Sequence, residues 1–375
     1  MNLEEYAAKS ILLKPASIPI PQSMVCTTAE EAADALAALG PAVIKAQVPS
    51  GKRGKSGGIR FADSPEAAAD GARAILGMEI GGHRVERLLM EERCEIAREL
   101  YASVLIDVDA RSPVVLFSME GGMDIEEIAA RDPEAIRRHE VNLDKGFNES
   151  DAAALLSNCD LGRSKAAVAD VLVRLYEIFR NSDAELIEIN PLAVLRDDRV
   201  LALDCKFVLD DAAGTRQPKI AAAAAPPRRT ELEVRGEANG LKFIQLDGNV
   251  GLLANGAGLT MTTMDTINHF GGRPANFLEI GGEAYTKAEV ALDLVLSNPG
   301  VKSLAVIFCG AFARTDVMAE GVVRAWETLK PKVPVFFSIH GTGEEEAVKL
   351  VRDRLGIEPF EEMEDAVKAA VEAAQ

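Results

Sequence analysis

The chain lacks most of what marks a secreted, membrane-spanning or nucleic-acid-binding protein. Its five cysteines (Cys26, Cys94, Cys159, Cys205 and Cys309) are odd in number, scattered and never spaced C-x-x-C. That pattern gives no zinc signature and fits reduced thiols in a cytoplasmic protein. Long apolar runs are missing: stretches such as AAAAA at 221–225 fall far short of a membrane span. The opening MNLEEYAAKSILLKP is acidic and has no long apolar core, so no secretory signal is expected. Positive charge is in deficit. A net charge of −18 argues against nucleic acid or an anionic membrane as a partner. Four histidines (His83, His139, His269 and His340) form no legible nucleophile–base pair, and nothing suggests heme, flavin or iron–sulfur chemistry.

What is present is an ordinary globular mixture, 48% hydrophobic and 27% charged, over 375 residues. That length exceeds one ordinary core, so two or three domains are expected. Residues 1–14 predict a short amphipathic helix with Leu3, Tyr6, Ala7, Ser10 and Ile11 on one face. Strand-like runs follow at 42–48, 87–92, 101–108 and 113–119, and helical rhythm at 64–76 and 164–181. The stretch PKIAAAAAPPRRTELE (218–233) breaks this texture. It divides the chain into a first domain over 1–225, a linker over 226–239 and a second domain over 240–375. Beyond the linker come four successive β-loop-α units, starting at VGLLA, NFLEI, SLAVIF and VPVFFSI. The expected class is α/β, with a doubly wound parallel sheet that binds ligands at the carboxyl ends of its strands.

Four motifs carry chemistry. KAQVPSGKRGKSGGIR (45–60) places five basic residues and no acid in a strongly acidic protein. Its glycines allow backbone amides near phosphate oxygens, and Lys45 and Lys55 supply point charges, although a solvated basic loop reads the same way. It is not a Walker loop. ELIEINPLAVLRDDRVLALDCKFVLD (185–210) reads as a hairpin. With the turn centred on Asp197, Asn190 faces Asp204 and Glu188 faces Lys206, which suits Mg²⁺ beside a polyphosphate; a half-exposed sheet face fits equally well. LMEERCEIARELYASV (89–104) reads by itself as a charged strand–helix edge. LLANGAGLTMTTMD (252–265) sets small residues between a strand and a helix N-terminus, an anion site or tight packing. It lacks the third glycine of a dinucleotide fingerprint, which removes a nicotinamide reading. IFCGAFARTD (307–316) has the same form.

In order, these segments resemble the β-subunit of the succinyl-CoA synthetase family, nearly end to end: MNLEEYAAK, K-A-Q-V…R-G-K-S-G-G, GGMDIEEIAA (121–130), EINPL, LALD, DGNVGLLANGAGLTMTTMD and GGRPANFLEIGGEA. The resemblance implies an ATP-grasp fold followed by a flavodoxin-like CoA-ligase domain. It implies an ADP-forming acid–CoA ligase that uses ATP or GTP, Mg²⁺ and CoA, and passes phosphate through a phosphohistidine. That histidine and the CoA site would lie on a separate α-subunit, in an αβ or (αβ)₂ complex. By position, Lys45, Lys52, Arg53, Gly54, Glu91, Cys94 and Glu99 would contact nucleotide, and Asn190 and Asp204 would hold Mg²⁺. Glu188 would hydrogen-bond the phosphohistidine, and Asn255, Cys309, Gly310 and Ala311 would contact acid or phosphate. Pro49, Lys52, Cys94, Cys205 and the 307–316 loop depart from the family pattern. GGMDIEEIAA and DDRVLALD look closer to the malate–CoA ligase branch, so the acid is expected to be succinate, malate or a related anion. Two rivals are a catalytically degenerate nucleotide-binding paralogue and an ATP-grasp carboxylate–amine ligase. Four β-α units after the linker speak against the latter.

Overall fold

The computed structural model describes every residue except Lys52, Pro227, Arg228, Gly282 and Glu283, and every other side chain except those of Ala284 and Tyr285. The chain divides into two compact units, Met1–Pro227 and Arg228–Gln375. Among the described residues, no helix is long and apolar enough to cross a membrane.

In the first unit, side-chain caps open two alanine-rich helices. Thr28 accepts from the Glu31 N–H at the start of Ala29–Leu39, and Ser64 accepts from Ala67 at the start of Pro65–Ile75. Their buried stripes (Ala32, Ala35 and Leu36; Ala68, Ala72 and Ile75) pack on one face of a small sheet. That sheet is antiparallel, in the order Ser23–Cys26, Leu88–Glu92, Ala42–Ala46, Ile59–Ala62. A larger antiparallel sheet runs Val200–Ala202, Ala184–Leu195, Ile96–Asp107, Ser112–Ser118, Ile136–Glu140, and Lys206–Leu209 also pairs with Ala184–Leu195. The helix Lys165–Asn181 buries Val168, Leu172, Leu175 and Phe179 in the core beneath it.

Two expectations change here. The charged segment after Glu92 forms no helix: Ile96–Asp107 is a twelve-residue strand paired on both edges, which takes in most of the strand expected at 101–108. Residues 96–99 face solvent, so the strand starts without apolar alternation. The opening helix also buries a wider face than expected. Leu3 and Ala7 are buried and Tyr6 and Ile11 pack half-buried on the core, but Ser10 is exposed, and Glu5, Ala8, Lys9, Leu12 and Leu13 are buried as well. Glu5–Ala8 is α-helical but Lys9–Leu13 winds as a π-helix, whose wider turn shifts the buried stripe.

The second unit holds a five-stranded sheet in the order Phe243–Gln245, Asn276–Ile280, Val250–Asn255, Ser303–Gly310, Val335–Gly341. The four expected strands are parallel, and Phe243–Gln245 adds an antiparallel edge. Val250–Ala254 and Ser303–Phe308 are buried throughout because hydrophobic clusters cover both sheet faces. Numbered along the chain, the parallel strands lie 2-1-3-4, so the connections leaving Val250–Asn255 and Ser303–Gly310 diverge at a switch point. Part of the expected linker is structured. Glu231–Ala238 is a helix opened by a Thr230–Glu233 capping box, with Leu232 and Gly236 packed in this unit's core. The Pro-Pro-Arg-Arg composition before it masked that box.

Candidate functional site

Alternation along three strands builds one wall of charges in the first unit. On Ala42–Ala46, Ala42, Ile44 and Ala46 enter the core, so Val43 and Lys45 face the other way. On Leu88–Glu92, Leu88 and Met90 are core and Glu91 shares the face of Lys45. On Ala184–Leu195, Ile187 and Ile189 are core, leaving Glu188 and Asn190 opposite. These faces line a cavity of about 640 Å³ that also receives Arg53, Gly54, Cys94 and Asp204. The hairpin register is the expected one: Glu188 pairs with Lys206, and Leu192, Ala193 and Val194 pair with Ala202, Leu201 and Val200. The Leu203 N–H donates to Pro191 O, so the same register carries Asn190 toward Asp204.

Three cations and three carboxylates interlock there. Lys9 Nζ donates to Glu5 Oε1 and Glu91 Oε1, both at 2.6 Å, and to Leu203 O at 2.7 Å. Lys45 Nζ reaches Glu5 Oε1 at 3.0 Å, pairs with Glu91 Oε2, and donates to Leu203 O at 2.5 Å. Arg53 holds Glu5 Oε2 at 2.6 Å through Nη1, and both Asp204 oxygens at 2.7 Å through Nη2. Burial opposes the charge on Lys45, but Glu5, Glu91 and Asp204 outweigh it and hold the ammonium above the usual lysine range. For Glu5, burial is likewise outweighed by Lys45, Lys9 and Arg53, which keep its carboxyl well below the usual range.

Two further partnerships frame the wall. Asn190 Oδ1 accepts from the Gly122 N–H at 2.7 Å, and its Nδ2 donates to Met123 O at 2.9 Å. Glu188 accepts from Tyr101 at 2.9 Å; burial pushes its pKa up, with Tyr101 and Lys206 pulling it back. Lys55 also lines the cavity, where it bonds Asp124 and Glu127 at 2.7 and 2.9 Å. Glu99 does not line the cavity. It is exposed and lies beside Gly122, whose φ of 74° is a left-handed conformation that favours glycine. Cys94 is half-buried and lines the cavity, while Lys52 lies outside the described residues. Glu5, Lys9 and Tyr101 escaped the sequence reading. The Glu5–Lys9 spacing of four residues between apolar neighbours was the local signal available.

In the second unit the expected residues also meet. Asn255 Nδ2 donates to Cys309 O and the Cys309 N–H donates to Asn255 Oδ1, both at 2.8 Å. The Thr342 N–H donates to Gly310 O at 2.8 Å, and its hydroxyl donates to Ala311 O at 2.9 Å, tying the end of Val335–Gly341 to that of Ser303–Gly310. Helix Ala257–His269 starts behind Gly256 at φ 84°, with no side-chain cap on its first amides.

An ATP-grasp domain model matches residues 2–194 and a CoA-ligase model matches residues 253–371. The chain is 43% identical over 358 residues to the β-subunit of the GDP-forming succinate–CoA ligase of Thermus thermophilus, covering 94% of each. It is 40% identical over 379 residues to the ADP-forming counterpart of Herpetosiphon aurantiacus, covering 100% of both. Among solved structures, ATP citrate lyase from Methanothrix soehngenii, in complex with citrate and coenzyme A, superimposes with a TM-score of 0.73. At 23% identity, covering 99% of both chains, that likeness shows the fold. An ATP-grasp unit with its charged cavity, a parallel-sheet CoA-ligase unit later in the chain, and kinship over nearly the full length to both GDP- and ADP-forming relatives lead to one conclusion: the chain belongs to the succinate–CoA ligase β-subunit family.

Proposed function

We propose that the protein is the nucleotide-binding subunit of a ligase that joins a small anionic carboxylic acid to CoA at the expense of ATP or GTP. Its partner is an α-subunit that carries the phosphoryl group on a histidine. The observation that carries this reading is the convergence of Lys45, Arg53, Glu188, Asn190 and Asp204 on one cavity from segments up to 160 residues apart. Domain 1–225 takes the nucleotide and domain 240–375 takes the acid and phosphate. The five free cysteines suit a reducing compartment such as the cytoplasm.

The chain's own groups suggest how binding proceeds. Lys45 and Arg53 are already charged and already compensated, so a triphosphate enters by exchange of partners. Arg53 releases Asp204 and turns that edge of its guanidinium to phosphate oxygens, with Glu5 still holding the other edge. The freed Asp204 and Asn190 are oxygen donors. Among the described residues no group of three or more His, Cys, Asp or Glu side chains forms a closed metal cage. That donor set fits Mg²⁺, which keeps several waters and shares phosphate oxygens; when bound it offsets charge on the transferring phosphoryl group. Glu188 accepts an N–H from the visiting imidazole and orients it toward the phosphate. In the second unit, Asn255 with the 309–311 loop and the uncapped amides near Ala257 receive acid or phosphate.

The test is nucleoside-diphosphate formation by the purified complex with its α-subunit, supplied with CoA and one acid at a time from a panel containing succinate and malate. Turnover that requires one acid and CoA supports the reading and names the substrate. An intact complex that binds Mg·ATP yet turns over no acid leaves a binding paralogue instead.

A further inference from the structure

The carboxylate of Glu188 has an anchor that the sequence did not announce. Ser103 lies directly opposite Glu188 in the pairing of Ile96–Asp107 with Ala184–Leu195. Tyr101, two residues before Ser103, therefore stands on the same sheet face, diagonal to Glu188 and within reach of an aromatic side chain. Its side chain is 2% exposed, and its hydroxyl donates to Glu188 Oε2 at 2.9 Å. Among the described residues this is the sole hydrogen bond on that carboxylate. Lys206, paired with Glu188 on the other edge, contributes attraction without fixing an orientation.

We propose that Tyr101 is a positioning residue for phosphoryl transfer: its hydroxyl pins Oε2 of Glu188, leaving Oε1 at the cavity for the imidazole N–H. The inference rests on the reading of Glu188 given above. A glutamate has three side-chain torsions and, lining an open cavity, would otherwise sample several rotamers. A tyrosine has only two, and this one is locked by burial, so its hydroxyl is a rigid reference point. Pinning one oxygen removes rotation of the carboxylate while leaving the second acceptor free, a pre-organised geometry for a donor that arrives on another subunit. Tyr101 itself does not line the cavity, so its hydroxyl would act through Glu188.

The test compares Tyr101→Phe, Glu188→Gln and the double variant, each in complex with the α-subunit. The readouts are KM for Mg·ATP and the single-turnover rate of α-subunit phosphorylation. Tyr101→Phe keeps the ring and its packing and removes one oxygen. The expected result is a rate about ten- to a hundredfold lower, with KM for Mg·ATP within about twofold of wild type. The double variant should be no slower than Glu188→Gln alone, because the hydroxyl acts only through that carboxylate. A wild-type rate for Tyr101→Phe beside a slow Glu188→Gln overturns this inference and leaves the Glu188 reading standing. A wild-type rate for Glu188→Gln overturns both. If Tyr101→Phe is slow only because the fold loosens, its loss adds fully to that of Glu188→Gln and KM rises, which also overturns the inference.

Discussion

In the first unit, charged side chains come from the N-terminal helix, two sheets and a glycine-rich loop, and pair with one another at the cavity wall. In the second, two neighbouring strand ends are joined through one amide side chain and backbone groups, with a helix N-terminus beside them. Buried full charges must be compensated even when no ligand is there, so on the proposed reading a nucleotide enters the first unit by exchange of partners. Backbone amides and helix dipoles need no counter-ion, so the second unit can present its donors directly. The difference predicts where substitutions act: on stability or nucleotide affinity in the first unit, according to how deeply the charge is buried, and on acid-dependent steps in the second.

The largest effect is expected at Glu5. Glu5→Gln leaves Lys9, Lys45 and Arg53 buried with one carboxylate fewer, and should cost about 3–5 kcal/mol of stability by chemical denaturation. Because its folded pKa lies below the ordinary carboxylate value, its contribution is full at neutral pH and fades as pH falls through the depressed value. The gap between wild type and variant should therefore narrow on strong acidification. Asp204→Ala comes next. Its side chain is 35% exposed, so the melting temperature should move little, while Mg·ATP affinity measured by calorimetry should fall roughly a hundredfold. A fall in stability without loss of affinity would make Asp204 a structural partner of Arg53 and no more.

Asn255→Ala sharpens the comparison from the other side. Losing two hydrogen bonds at the strand ends should cost roughly 1 kcal/mol. It should slow discharge of the phosphorylated α-subunit by acid and CoA, with Mg·ATP affinity unchanged. The smallest effect is chemical. Burial, with Glu92 and Glu91 adding to it, pushes the Cys94 thiol up, so mild alkylation should reach exposed Cys309 first. Bound Mg·ATP should protect Cys94 and leave Cys309 unaffected, as mass spectrometry of the alkylated peptides will show.

How far the sequence reached depended on how local each signal was. The parallel sheet was legible because each strand is a continuous apolar run followed by small loop residues and a helix. The register of the 185–210 hairpin was legible too: a turn centred on Asp197 fixes the pairing of Glu188 and Lys206 through the two-residue period alone. Pairings between distant segments left no local trace. Tyr101 meets Glu188 across 87 residues, Arg53 meets Asp204 across 151, and Lys9 meets Glu91 across 82. The charged start of Ile96–Asp107 and the helix Glu231–Ala238 were misread because solvent-facing residues carry little of the apolar period on which such readings depend.

The central claim is that this cavity delivers phosphate from nucleotide to the partner subunit. The most direct measurement is a single turnover of the purified complex with γ-labelled ATP, followed by separation of the subunits. Label should appear on an α-subunit histidine with wild-type protein and be absent with Asp204→Ala. An intact wild-type complex that binds Mg·ATP but acquires no label, or equal labelling in Asp204→Ala, would contradict the account.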